Sequence, residues 1–275
     1  MKMKTAQRLM KTVSVIRAIS FDITGTLIDH QESIAETYAR CAQLTLTDPP
    51  SAEEMQPAFR RAFKEASKNE PYFGYPGNER EWWKYTVRLC LEYTGKIDIN
   101  EDEFNRYFYR VYQHFGSPKG YTVLPQVREC LKFLSEKGLL LGVTSNTPHR
   151  TIDTTLPMLD LSKYFDFFVC TADLGAEKPE PEIFNRTLFE VQTLLNDFTI
   201  QPHQILHIGD SLVADYCGAR AAGFSALYLN RGEKSITFQD WLVAPTYPGK
   251  SNEDIHEHTI HEISQVVSFF NHREK

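Results

Sequence analysis

Five short apolar runs end in polar residues along this chain. They cover Val15 to Ile23, Leu139 to Val143, Phe165 to Cys170, Gln204 to Ile208 and Ser225 to Leu229. Near-continuous apolar runs of this length read as strands of a parallel sheet buried on both faces. Helical periodicity lies between them. Val127, Cys130, Leu131 and Leu134 form one apolar stripe, with Gly138 as a C-terminal stop. Pro181 to Leu195 carries a proline at its start, and Val213 to Ala222 is closed by Gly223. Strand, helix and strand in alternation predict an α/β doubly wound sheet.

One stretch breaks the alternation. From about Gln31 to Tyr121 only helical spacing is found, with Met55, Phe59 and Phe63 in one segment and Trp82, Trp83, Val87 and Leu91 in the next. A third segment presents Phe104, Phe108, Val111, Tyr112 and Phe115. The turn-rich run Tyr72-Phe73-Gly74-Tyr75-Pro76-Gly77 separates the first two. These features predict a helical bundle inserted after the first strand, its aromatics forming a core; stacking on a substrate is the second reading for some of them. Ile260, Ile263, Val266, Val267 and Phe270 predict a closing helix near the C-terminus. The expected division is a basic extension over 1–14, an α/β core over 15–30 and 122–275, and the helical insertion over 31–121.

Composition narrows the class. The chain has 275 residues, 41% of them hydrophobic and 24% charged, enough to bury a core without staples. No run of 18 apolar residues is present, which argues against a membrane-spanning helix. A formal net charge of −6 argues against a general nucleic-acid binder. Cys41, Cys90, Cys130, Cys170 and Cys217 are odd in number and never in a CxxC pair. They read as reduced, buried thiols of a cytoplasmic protein, not as a disulfide framework or zinc site. Lys2, Lys4, Arg8 and Lys11 give the first 14 residues a basic character that suits either an organelle-targeting helix or a frayed terminus.

The chemistry clusters at the predicted strand ends, where open α/β sheets bind their ligands. Asp22 closes the first strand in Asp22-Ile23-Thr24-Gly25-Thr26, and Gly25 permits a tight turn whose N–H groups can face an anion. Such a carboxylate can be a nucleophile or a metal ligand; alone, it could equally cap a helix. Ser145 and Asn146 follow the second strand and can donate to phosphate oxygens. Lys178, between a turn and a helix, can neutralise phosphoryl oxygens or crowded carboxylates. Asp210, Ser211 and Asp215 follow the fourth strand, and Asp210 with Asp22 makes a hard oxygen site suited to Mg²⁺.

Together, in this order, these motifs resemble the haloacid dehalogenase superfamily over about Val15 to Leu229. The resemblance implies a covalent nucleophile at Asp22 and phosphate contacts from Ser145, Asn146 and Lys178. It also implies Mg²⁺ held by Asp22, the Thr24 carbonyl and Asp210, with Asp215 and Ser211 behind them. The insertion resembles that family's helical cap. The implied activity is a Mg²⁺-dependent phosphohydrolase acting on a small phosphorylated metabolite.

Thr24 departs from the family's phosphatases, which carry a second aspartate there to protonate the leaving group and activate water. Loss of a general acid–base group costs about 10²- to 10⁴-fold in rate. Asp-x-Thr-Gly-Thr also resembles the P-type ion-pumping ATPases, whose leaving group needs little protonation. Thr24 therefore leaves three options: a good leaving group, a proton from Asp29 or His30, or slow turnover. A phosphate- and Mg²⁺-binding protein without turnover is the alternative. A metal-free 2-haloacid dehalogenase is the third reading, opposed by the negative charge of Asp210 and Asp215 beside Asp22. Arg60, Arg61, Tyr38, Tyr72 and His30 are the substrate-selecting candidates in the insertion. Arg60 and Arg61 point about 100° apart on a helix, so at most one of them faces a site.

Overall fold

The computed structural model describes residues 15–96, 98–232 and 234–271. The basic segment over 1–14 lies outside the described residues. Six strands form one parallel sheet: β1 (Ala18–Phe21), β4 (Leu140–Ser145), β5 (Phe167–Cys170), β6 (Ile205–Gly209), β7 (Ser225–Leu229) and β8 (Thr259–Ile260). Their spatial order is β5-β4-β1-β6-β7-β8. The chain runs outward from β1 through β4 to β5, then returns to the other side of β1 for β6. The order reverses around β1, which is where doubly wound sheets open a crevice at their carboxyl ends.

Alternation sorts the side chains. Ile19 and Phe21 of β1 join Leu206 and Ile208 of β6 in one core, while Ala18 and Ile205 join the other. Side-chain direction has a period of two, so Ser20, Asp22 and His207 share the second face.

The insertion builds its own core. Helices α1 (Ile34–Gln43), α2 (Ala52–Asn69), α3 (Glu79–Tyr93) and α4 (Glu101–His114) bury Tyr38, Met55, Val87, Cys90, Tyr107 and Phe108 among themselves. Ser33 and Ser51 start α1 and α2 as full capping boxes with Glu36 and Glu54. The chain enters and leaves through a two-stranded antiparallel ribbon, β2 (Ile28–His30) with β3 (Tyr121–Val123), in which His30 pairs with Tyr121. In the sheet body, α5 (Val127–Glu136) covers one face and α6 (Pro181–Leu195) the other; α7 (Gln265–Phe270) packs beside α5.

Several sequence expectations are corrected. β1 is shorter than Val15 to Ile23, because the chain turns straight after Asp22. β4 runs on through Ser145, so Thr144 and Ser145 belong to the strand. The helix expected over Val213 to Ala222 is a π-helical stretch, Leu212–Cys217, followed by the α-helical Gly218–Ala221. Ile260 lies in β8, and the closing helix begins only at Gln265. All five cysteines are free and buried, as expected. Among the described residues, no helix is long and apolar enough to cross a membrane.

Candidate active site

The site is assembled by four strand ends. Asp22 directly follows β1, and its amide continues the sheet by donating to Ile208 O at 2.9 Å. The chain then folds back, with Leu27 N donating to Ile23 O and Gly25 N to Ile28 O, both at 2.8 Å. Gly25 has φ +81°, and a Cβ there would lie 2.6 Å from the Asp210 carboxyl. The turn therefore needs glycine for both its conformation and its approach to Asp210.

Lys178 sits at the centre. Its Nζ donates to Asp22 Oδ1 at 2.7 Å, Asp215 Oδ1 at 2.5 Å and Thr144 O at 2.8 Å. Its side chain is 1% exposed, so this ammonium ion is screened by protein alone. Burial opposes that charge, but Asp215 and Asp22 outweigh it and raise the lysine pKa. Burial likewise opposes the Asp215 charge, yet Lys178 and His207 hold its pKa well below the usual carboxylate range. For Asp22, burial wins: its pKa is raised, with Lys178 opposing and Asp215 adding to the shift. Ser145 Oγ donates to Asp22 Oδ1 at 2.9 Å, so Ser145 and Lys178 converge on one carboxylate oxygen.

Asp215 has no oxygen to spare. Oδ1 accepts from Lys178 and His207, and Oδ2 from Ser211 N at 2.8 Å. Gly209 leaves the space for it, since a Cβ there would fall 2.1 Å from the Asp215 Cγ. Burial lowers the His207 pKa and favours neutral imidazole. Its Nε2–H then faces Asp215 Oδ1 at 3.1 Å, and its Nδ1 accepts from Ser20 Oγ at 2.8 Å. This Ser20–His207–Asp215 chain was not singled out from the sequence. The signal was there: Ser20 and His207 are polar interruptions of apolar strands.

Asp210 completes the carboxylate group. One oxygen each from Asp22, Asp210 and Asp215 lies within 4.8 Å of the other two. Burial, followed by the charges of Asp22 and Asp215, raises the Asp210 pKa. Lys234 Nζ contacts Asp210 Oδ2 at 3.2 Å from an exposed position. Such a group of hard oxygens, with excess negative charge, fits a divalent cation such as Mg²⁺.

Asn146 braces the lysine loop. Its Nδ2 donates to Lys178 O at 2.8 Å and its Oδ1 accepts from Lys178 N at 2.7 Å, so the amide fixes the lysine loop. Thr24 is exposed and, with Asn146, lines a cavity of about 350 Å³ that reaches into the helical insertion. The aromatics divide accordingly. Trp82 and Phe104 are buried in the helical unit away from the cavity, Phe108 is buried and borders it, and Phe59, Phe63, Trp83 and Phe115 are partly buried and line it. Tyr38 and His30 line it as well. Arg61 instead stacks on Tyr93 at 3.8 Å, Arg60 borders a separate hollow with Asp29, and Tyr72 OH donates to Glu180 Oε1 at 3.0 Å.

A family model described as haloacid dehalogenase-like hydrolase matches residues 16–223. The chain belongs to this family of hydrolases. Among curated relatives, haloacid dehalogenase-like hydrolase domain-containing protein 3 of Xenopus laevis is 27% identical over 256 residues, 92% of this chain and 94% of that protein. A phosphoglycolate phosphatase of Salmonella choleraesuis is 26% identical over 272 residues, covering 90% of this chain and 99% of that one. Among solved structures, a HAD phosphatase from Thermococcus onnurineus aligns with a TM-score of 0.58 at 20% identity, covering 94% of this chain and 99% of its own. An L-2-haloacid dehalogenase from Xanthobacter autotrophicus aligns at 0.62 with 16% identity and the same two coverages. At these identities the two structures bear on the fold, which phosphatases and dehalogenases of the family share.

Proposed function

We propose that this hydrolase is a Mg²⁺-dependent phosphohydrolase that works through an aspartyl-phosphate at Asp22. The observation that carries the reading is the convergence of Lys178 and Ser145 on Asp22 beside a second, less engaged carboxylate, Asp210. Asp22, the Thr24 carbonyl and Asp210 would hold Mg²⁺, while Asp215, already saturated by Lys178, His207 and Ser211, positions the lysine. Bound there, the cation would offset the charge of the phosphoryl oxygens.

Asp22 attacks phosphorus: an Asp22 O–P bond forms as the bond to the leaving oxygen breaks. Lys178 and Ser145 hold the transferring oxygens, which is electrostatic stabilisation by groups already in place. Water then attacks the phosphorus of the aspartyl-phosphate, the Asp22 O–P bond breaks, and inorganic phosphate leaves with the carboxylate regenerated. Thr24 has no carboxyl to move protons in either step, so good leaving groups react and the second step is slow. We further propose that the helical unit caps the site and selects a small phosphorylated metabolite. Thr24 is also the observation that favours a second reading, a phosphate- and Mg²⁺-binding protein with negligible turnover. The dehalogenase reading is disfavoured by Asp210 and Asp215, whose charge would repel a haloacid carboxylate.

The test is a stopped-flow experiment with Mg²⁺ and an excess of p-nitrophenyl phosphate. A burst of one nitrophenol per site followed by a slow phase is expected, with no burst in Asp22→Asn. Binding of Mg²⁺ and a phosphate analogue with no turnover would favour the binding-protein reading. Chloride release from a 2-haloacid without Mg²⁺ would revive the dehalogenase.

A further inference from the structure

The cavity above Thr24 has a lining at odds with a purely apolar pocket. Its walls are aromatic, yet two of its lining residues carry buried polar atoms that have no hydrogen-bond partner: Glu79 Oε1 and His30 Nδ1. A buried polar group left unpaired costs about 1–3 kcal/mol, so two in one cavity call for a partner.

Glu79 Oε1 accepts when the carboxyl is ionised, and His30 Nδ1 accepts when the neutral ring carries its proton on Nε2. Glu79 is the first residue of α3, and its other oxygen, Oε2, accepts from Arg150 N at 3.4 Å, which ties the helical unit to the sheet body. His30 Nδ1 has no partner, and burial lowers the pKa of the ring. A neutral ring donating from Nε2 leaves a lone pair on Nδ1. The only guanidinium among the described residues lining the cavity is that of Arg150, and it is engaged elsewhere: it lies 3.7 Å over the Tyr112 ring and donates to Tyr112 O at 2.5 Å. Trp83, Phe73 and Phe63 are among the aromatic residues lining the cavity, and an aromatic face attracts a cation.

We propose that Glu79 and His30 select a leaving group that carries an ammonium group on an apolar body, so that the substrate is a phosphorylated amine with phosphate at Asp22 and nitrogen in the aromatic cavity. This specificity rests on the phosphohydrolase reading only for the fate of the phosphate, not for the binding of the amine. Sequence reasoning missed Glu79 because an acid in the first turn of a helix is commonplace.

Three esters test it: the isosteric 4-(2-aminoethyl)phenyl phosphate and 4-propylphenyl phosphate, and the anionic 3-(4-phosphonooxyphenyl)propanoate. Binding to the Asp22→Asn protein with Mg²⁺ is measured by calorimetry, so turnover does not enter. The ammonium ester is expected to bind about tenfold or more tightly than the propyl ester. Adding Glu79→Gln, which keeps an oxygen for Arg150 N, should cut that ratio to about twofold or less; His30→Phe, which keeps a ring against Tyr121 and Phe115, should lower it too. A purely structural tie through Glu79 would leave the ratio unchanged. Equal binding of the ammonium and propyl esters, tightest binding of the carboxylate, no binding of any ester, or a ratio indifferent to Glu79→Gln overturns the proposal. Hydrolysis of the same esters by the unaltered protein is scored separately. If the ammonium preference holds but none is cleaved, the phosphohydrolase reading falls and the amine site stands.

Discussion

Replacing Lys178 by methionine keeps the length of the side chain and removes the charge that two buried carboxylates share. At 2.7 Å from Asp22 and 2.5 Å from Asp215, each pair attracts by about 6 kcal/mol at an effective dielectric constant of about 20. Desolvating the ammonium costs several kcal/mol, and the two aspartates repel each other. The net loss on breaking a buried pair is about 3–5 kcal/mol, and we expect that much destabilisation at pH 7. The pH dependence fixes the cause. The raised Lys178 pKa means its contribution is complete below its unfolded value and is lost as pH climbs through the folded one. The depressed Asp215 pKa means its contribution is complete above its unfolded value and is lost as pH falls through the folded one. In the variant the carboxylates can escape the penalty only by taking up protons, so the gap to the parent protein should narrow steadily as pH falls from 7 toward 4. Urea unfolding across that range, without Mg²⁺, is the assay. A gap under about 1 kcal/mol at pH 7, or one that is flat with pH, would refute the account of Lys178 as the counter-ion of this site.

Thr24→Asp should restore a proton carrier and speed the slow phase after the nitrophenol burst by about 10²-fold, read by stopped flow. Gly25→Ala forces a Cβ to within 2.6 Å of the Asp210 carboxyl at φ +81°, and should weaken Mg²⁺ binding in calorimetry about tenfold or more. Mg²⁺ should raise the thermal midpoint of the parent protein, as any ligand of the folded state does, and Asp210→Asn should abolish the rise. His207→Phe removes the Nε2 donor to Asp215, so the acid limb of the activity–pH profile should move upward as Asp215 becomes easier to protonate; an unmoved limb would mean that His207 only fills space.

Five strands of the sheet were legible because each is a dense apolar run, and the candidate site because Asp22 and Asp210 stop two of those runs at the same end, with Lys178 in the loop before α6. What escaped is what local pattern does not encode. β8 is two residues long, and it pairs with β7 only because residues far along the chain bring it there. The π-helical Leu212–Cys217 satisfies the same apolar spacing as an α-helix, and the crowding of Asp215 against Gly209 is invisible in one dimension. Asn146 was legible as a polar residue at the right place, but not that the lysine loop takes up its amide. The aromatics of the insertion share one helical period, and tertiary packing decides that Phe104 is core while Phe59 faces the cavity.

The ribbon of β2 and β3 brings the two ends of the helical unit together, with His30 directly opposite Tyr121. Entry and exit are thus neighbours, and the loop they close costs almost nothing in the geometry of the sheet body. Chain entropy favours a short connection there: replacing residues 31–120 by Asn-Gly would turn the ribbon into an ordinary hairpin with a two-residue turn. The helical unit can therefore be exchanged as a cassette. Transplanting the unit of a relative onto His30 and Tyr121 should leave the sheet body folding as before and change only which molecules reach it.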